Sequence, residues 1–224
     1  MMLQLNRVLK PEQLENVRRT LARAEFVDGK LSVGKAASAV KNNEELKATA
    51  QLMELLNNEV MGSLVSHPIY QAGALPQHIA SPFYVRYTPG MHYGDHVDDP
   101  VMGVEGQLYR SDIAITVFLN DPNEYEGGEL VINSSFGQNR VKLDAGDAVM
   151  YPASSLHHVA EVTKGERLVA VTWVQSMVRD PAQRELLYTL YLAKEKLLET
   201  APNDEITDQV NTAYVNLVRM WGDL

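Results

Sequence analysis

Apolar positions recur along this chain with two different periods, and the changeover divides it into three segments. Leu3, Leu5 and Val8 form a short possible strand. Pro11 then suits a first helical position, where a missing N–H costs no hydrogen bond. Leu14, Val17 and Leu21 follow at spacings of three and four, the period of an amphipathic helix. Residues 27 to 41 hold Gly29, Gly34 and several small residues and read as irregular. Asn42 with Glu45 has the spacing of a capping box. Leu46, Ala50, Met53, Leu56 and Val60 then trace one helical face to about residue 61.

From Pro82 the pattern becomes short apolar runs bounded by Gly, Pro, Asn or Asp. The runs are Phe83–Tyr87, Ile113–Leu119, Glu129–Ile132, Arg140–Leu143, Ala148–Tyr151, His157–Val162 and Arg167–Val174. Strands at this spacing predict an antiparallel sandwich or barrel. Leu168–Val174 is apolar at nearly every position, which predicts a strand covered on both faces. After Arg179 the helical period returns. Asp180-Pro181-Ala182-Gln183 fits a helix start, and Leu186, Leu190, Ala193 and Leu197 form one stripe. Pro202 breaks the run, and Ile206, Val210, Ala213, Leu217 and Met220 form a second. The expected organisation is mainly β with flanking helices. An N-terminal helical segment, 1–77, packs on a strand-rich domain, 78–178. A C-terminal helical hairpin, 179–224, packs on that domain, on another copy of the chain, or on both.

With 224 residues, 45% hydrophobic and 22% charged, the composition is that of an ordinary globular protein. No residue is cysteine, which excludes thiolate metal sites, disulfide scaffolds and cysteine nucleophiles. The formal charge of −9, without a basic run, argues against a phosphate backbone as partner. No apolar stretch approaches the ~18 residues of a membrane span, and the first ten residues do not read as a secretory signal. The expectation is a cytoplasmic protein with neither a nucleic-acid nor a membrane partner.

The candidate chemistry begins at His96-Val97-Asp98. On a strand, residues two apart share a face, so an imidazole and a carboxylate project together. His157 and His158 lie about sixty residues later, at the start of another predicted strand. Adjacent strand residues face opposite ways, so only one of them can join the pair. Two histidines and one carboxylate occupy one face of an octahedral Fe(II) and leave positions open for a chelating cosubstrate and O2. Arg167 opens the apolar run and needs a partner to offset its desolvation. Its planar fork matches a carboxylate, such as the distal carboxylate of 2-oxoglutarate. Glu161 and Glu166 offer a plain ion pair instead, and a loop histidine beside a surface carboxylate is the bland account of His96 and Asp98.

The order of motifs resembles the bacterial PKHD-type hydroxylases, relatives of the prolyl and lysyl hydroxylases among the Fe(II)/2-oxoglutarate oxygenases. The segments that carry the resemblance are Arg86-Tyr87-Thr88-Pro89-Gly90, Tyr93-Gly94-Asp95-His96-Val97-Asp98, Phe118-Leu119-Asn120-Asp121 with Gly127-Gly128-Glu129-Leu130, Ala145 to Pro152, and His157 with Arg167. They span residues 82 to 178. The resemblance implies a double-stranded β-helix, or jelly roll, with His96, Asp98 and His157 as ligands of one Fe(II). The ten-residue gap to Arg167 selects His157 over His158. Arg167 is implied as the 2-oxoglutarate anchor, with Tyr87 near the cosubstrate, and L-ascorbate as reductant. The implied activity couples decarboxylation of 2-oxoglutarate to hydroxylation of a substrate. That substrate is a prolyl- or lysyl-like peptidyl group, or a small molecule related to siderophores. Two rivals stand beside this reading. A non-catalytic metal-binding jelly roll would have no use for Arg167, and a metal-dependent hydrolase would work with zinc.

Overall fold

The fold is described from a computed structural model and covers residues 1–32 and 34–223. The N-terminal third contains β1 (Leu3–Leu5), α1 (Pro11–Leu21), β2 (Phe26–Asp28), α2 (Lys35–Ser38), β3 (Lys41–Asn42) and β4 (Glu44–Leu46). It continues with α3 (Ala50–Ser66), α4 (Pro68–Ala74) and β5 (Pro76–Ile79). Pro11 opens α1, and the Lys10 N–H donates to the Gln13 side chain at 3.1 Å. The second long helix departs from the capping box expected at Asn42 and Glu45. Those residues lie in extended chain, where Asn42 pairs with His92 and Glu45 with Val85. Ladder bonds and the Glu44–Arg86 ion pair at 2.6 Å hold this stretch open. The helix starts later, at Ala50, where the Thr49 hydroxyl accepts from the Leu52 N–H at 3.3 Å. Its buried residues, Leu56, Val60 and Leu64, recur every four positions.

The middle of the chain forms β6 (Phe83–Tyr87), β7 (His92–His96), β8 (Val101–Val104), β9 (Gln107–Arg110) and β10 (Ile113–Phe118). After a 3-10 turn at Pro122–Glu124 come β11 (Tyr125–Gly127), β12 (Leu130–Ser134), β13 (Gly137–Val141), β14 (Ala148–Pro152), β15 (His157–Val159), β16 (Val162–Gly165) and β17 (Arg167–Ser176). One sheet runs β1-β14-β10-β17-β6-β4-β2, with β5 also on β17. The facing sheet runs β13-β12-β15-β7-β3. This is the expected double-stranded β-helix. The run expected over His157–Val162 divides into β15 and β16, and the one expected over Arg140–Leu143 begins earlier, at Gly137. Among elements outside the expectations, α4, β5 and the β8–β9 hairpin are each too short to show a period.

Strand period fixes where the core sits. On β10, Ile113, Ile115 and Val117 pack under the helices, while Ala114 and Phe118 point between the sheets. On β17, Leu168, Ala170 and Val174 take the helix side and Val169 the inner side. Both faces are therefore covered, as the apolar run predicted.

At the C-terminal end stand α5 (Pro181–Thr200) and α6 (Glu205–Trp221), capped by Asp180 and Asp204. They pack against each other and around Leu75, Val178 and Leu187. The face they bury is offset from the expected stripes and shares Leu217 with the second of them. Leu186 is 61% exposed and Leu187 only 1%, and α6 turns Tyr214, Leu217, Val218 and Trp221 inward. Among the described residues, no helix is long and apolar enough to cross a membrane.

Candidate metal centre

His96 ends β7, and Asp98 lies two residues further on, just past the strand. His157 begins β15 and stands directly opposite His96 in the ladder. Cross-strand pairing therefore brings together residues about sixty apart in sequence. One potential ligand atom from each of the three lies within 4.8 Å of the others. Asp98 Oδ1 is 4.0 Å from His96 Nε2 and 3.8 Å from His157 Nε2.

Each imidazole is oriented from behind. His96 Nδ1 donates to the Gly94 carbonyl at 2.8 Å, and His157 Nδ1 donates to the Ser155 carbonyl at 2.9 Å. Both contacts put the proton on Nδ1 and leave the Nε2 lone pair facing the cluster, the tautomer a metal ligand needs. Tyr93 stacks on His96 at 3.7 Å between ring centroids. Burial, and then the nearby His157, push the His96 pKa down to about 4, so the ring stays neutral at pH 7. Burial pushes the Asp98 carboxyl up, against the opposing pull of His157 and the approaching Trp173 indole. Asp98 Oδ2 is buried without a hydrogen-bond partner. A buried carboxylate in that condition is costly unless a cation accompanies it. Two imidazoles, one carboxylate and no thiolate fit Fe(II). His158 points the other way, to Asp95 at 2.7 Å on the outer face.

Arg167 lies on the inner face of β17 and lines the same cavity of about 750 Å3. It is 1% exposed, and no carboxylate among the described residues forms an ion pair with it. Glu166, a candidate partner on sequence grounds, is turned toward Arg86 at 3.9 Å. The Arg167 guanidinium sits over Tyr87 at 5.0 Å and Phe118 at 5.6 Å, and its Nε has no acceptor. Gly128 makes room for it. A Cβ there would come within 3.1 Å of Arg167 Cδ, and its φ of +67° suits glycine. Tyr87 pairs with Arg167 across the β6–β17 ladder, and its hydroxyl accepts from Asn43 Nδ2 at 2.9 Å.

The segment read as irregular chain leading into a helix cap contributes side chains that sequence reasoning missed. Lys41, Asn43 and Glu45 alternate along the β3–β4 stretch, and all three line the cavity. Lys41 and Glu45 form a buried ion pair that the Ser32 hydroxyl joins at 2.8 Å from Glu45. Residues 41 to 45 are all polar, so no apolar alternation marked the strand; its period of two appears in the structure, where Lys41, Asn43 and Glu45 are buried and Asn42 is exposed.

The family profile described as the 2OG-Fe(II) oxygenase superfamily matches residues 82–175. The chain is 50% identical, over the whole of both chains, to a PKHD-type hydroxylase of Thioalkalivibrio sulfidiphilus. Among solved structures, it resembles a prolyl hydroxylase of Trichoplax adhaerens in complex with a peptide fragment of hypoxia inducible factor. That match has a TM-score of 0.54 at 13% identity and covers 83% of this chain and 86% of the other. HygX of Streptomyces hygroscopicus, with nickel, 2-oxoglutarate and hygromycin B bound, matches with a TM-score of 0.53 at 14% identity, covering 76% and 81%. At these identities the structural matches speak for the jelly roll alone.

Proposed function

Because the chain belongs to the PKHD-type hydroxylases of the 2OG-Fe(II) oxygenase superfamily, we propose that His96, Asp98 and His157 hold its iron, and that Arg167, with Tyr87, holds its 2-oxoglutarate. The protein is an oxidoreductase dependent on Fe(II) and 2-oxoglutarate. The observation that carries the site assignment is Arg167, buried with no carboxylate partner and facing the same cavity as the two imidazoles and Asp98.

With iron and 2-oxoglutarate bound, the chemistry supplied is oxidative decarboxylation to succinate and CO2 with hydroxylation of a C–H bond of the primary substrate. The protein supplies orientation and seclusion. The carbonyls of Gly94 and Ser155 fix both imidazoles with Nε2 inward. Asp98 contributes the negative charge of the triad. The Arg167 guanidinium would hold the carboxylate of 2-oxoglutarate, and the rings of Tyr87 and Phe118 screen it from water.

One structural relative is in complex with a peptide fragment and another has hygromycin B bound. We therefore carry forward a peptidyl or small-molecule substrate for this cavity, with prolyl, lysyl and siderophore-like groups as the first to test. L-ascorbate is proposed as the reductant on the strength of the family alone.

The test is succinate formation from 2-oxoglutarate by the purified chain loaded with Fe(II), against the same chain loaded with Zn(II). Succinate with iron and none with zinc is expected, rising with L-ascorbate and with a true substrate. Equal turnover of an ester or amide by both metal forms, without succinate, would replace this reading with a hydrolase.

A further inference from the structure

We propose that Asn43 is a positioning residue for the cosubstrate, acting through Tyr87. It aims the phenolic proton of Tyr87 at the carboxylate that Arg167 holds. The proposal rests on the assignment of Arg167 and Tyr87 made above.

A tyrosine hydroxyl has one proton to donate and lone pairs to accept with. The Tyr87 hydroxyl accepts from Asn43 Nδ2 at 2.9 Å, and both side chains are buried, at 4% exposure each. Among the described residues it donates to no protein acceptor. The amide occupies the accepting side of the oxygen, so the proton is directed elsewhere. Tyr87 and Arg167 both line the cavity, and Arg167 acts on the phenol closely enough to offset part of its burial. A carboxylate in the Arg167 fork is therefore an acceptor for that proton. Hydrogen bonds to a charged group are the stronger kind.

Asn43 is itself held in place. Its backbone carbonyl accepts from the Gly29 N–H at 2.9 Å. A Cβ at Gly29 would lie 2.0 Å from Asn43 Oδ1, so the amide packs directly against that glycine. It also stands between Lys41 and Glu45, whose buried ion pair closes the strand around it. An aliphatic residue at 43 would leave the Tyr87 oxygen with its own proton free to rotate.

The experiment is anaerobic calorimetric titration of the Fe(II)-loaded full chain with 2-oxoglutarate and, separately, with pyruvate. Pyruvate has the same metal-chelating end but no distal carboxylate. Four variants are compared with wild type: Asn43→Ala, Tyr87→Phe, the double variant, and Arg167→Ala. Asn43→Ala is expected to weaken 2-oxoglutarate about tenfold, the scale of one hydrogen bond to a charged group, and to leave pyruvate unchanged. The double variant should bind no worse than Tyr87→Phe alone, since both changes remove one interaction. Asn43→Ser, too short to reach the phenol, carries the same expectation should the alanine variant not fold.

Independent losses in the double variant, or equal losses for both ligands, would overturn the proposal in favour of a packing role. Tighter 2-oxoglutarate binding by Asn43→Ala would overturn it too, because the amide would then be claiming the phenolic proton rather than directing it. An unchanged affinity in Arg167→Ala would instead strike the underlying assignment. The two failures are thus distinguishable.

Discussion

The two faces of β17 show how one strand serves two purposes. Its even positions, Leu168, Ala170, Thr172 and Val174, turn toward the helices. The polar groups on this side are satisfied, since the Thr172 hydroxyl donates to the Ala80 carbonyl at 2.7 Å and that of Ser176, at the end of the strand, donates to the Leu75 carbonyl at 3.3 Å. Its odd positions carry Arg167 and Trp173, whose Nε and Nε1 atoms are buried without partners. The same asymmetry runs through the molecule. Among the described residues, unpartnered buried atoms on Asn43, Asp98, Arg167 and Trp173 all border the cavity. The other two belong to His92 of β7 and Tyr125 of β11, and none lies beneath the helices. Buried polar groups are ordinarily paired. A face that leaves several unpaired is arranged for something that binds there, while the opposite face is arranged for stability. Changes on the inner face should therefore alter binding more than folding, and changes on the outer face the reverse.

The largest effect is expected at Asp98. The Asp98→Ala variant should lose iron binding altogether, because a facial triad has no ligand to spare. Its metal-free fold should not suffer, since the change removes a carboxyl whose charged form burial disfavours. His158→Ala should keep its iron, because that ring faces Asp95 outside the sandwich. Iron titration together with scanning calorimetry of the metal-free proteins checks both halves. Iron retained by Asp98→Ala, or lost by His158→Ala, would break the assignment of the inner face.

Next comes Arg167. The Arg167→Ala change should weaken 2-oxoglutarate by roughly 2–5 kcal/mol, the scale for losing one side of a buried charge pair, while iron affinity stays near wild type. Arg167→Lys should recover only part, because an ammonium cannot reproduce the planar fork. Equal 2-oxoglutarate affinity in wild type and Arg167→Ala would leave the metal site standing and remove the cosubstrate site.

Both faces of β17 were legible in advance. A strand apolar at successive positions needs cover on both sides, and an arginine at its head needs a partner. The juxtaposition of His96 and Asp98 was legible too, although Asp98 lies beyond the end of β7 rather than on it. Lys41, Asn43 and Glu45 were not, because Asn42 and Glu45 mimic a helix cap at the right spacing. What overrides that local signal is pairing with β7 and β6, residues far off in sequence. The phase of α5 was misread for a related reason. The doublet Leu186-Leu187 fits two adjacent stripes equally well. The inward one is chosen by Leu75 and Val178, which lie outside the helix.

On the outer face, Leu64 of α3 is fully buried against the large sheet. Leu64→Ala should cost about 2–5 kcal/mol of folding stability, from lost transfer energy and the cavity left behind. The 2-oxoglutarate affinity of the folded, iron-loaded variant should match wild type. Urea unfolding followed by titration measures the two separately. A large affinity loss without a stability loss would show that the helix layer shapes the site, and the separation of faces would fail.

The smallest effect is expected where α1 meets the turn before β11. The Arg18 guanidinium holds both oxygens of Glu124, at 2.9 and 2.6 Å. Both side chains are more than a third exposed, so solvent and salt screen the pair and limit it to about 1 kcal/mol or less. Arg18, and with it the Asp121 N–H, pulls the Glu124 carboxyl below its usual value of 4.5. A depressed carboxyl contributes stability that is full above its unfolded pKa and is lost as pH falls through the folded one. The gap in stability between wild type and Arg18→Ala should therefore be present at pH 7, shrink with added salt, and narrow in acid as Glu124 takes up its proton. Arg18 also lies in the last turn of α1, where a cation favours the helix end by a few tenths of a kcal/mol. That contribution does not depend on Glu124 and survives acid. Denaturation of both proteins at pH 7 and at a pH that protonates Glu124 divides the two. A gap that keeps its full size in acid would assign Arg18 to its own helix rather than to the joint between the helix layer and the sandwich.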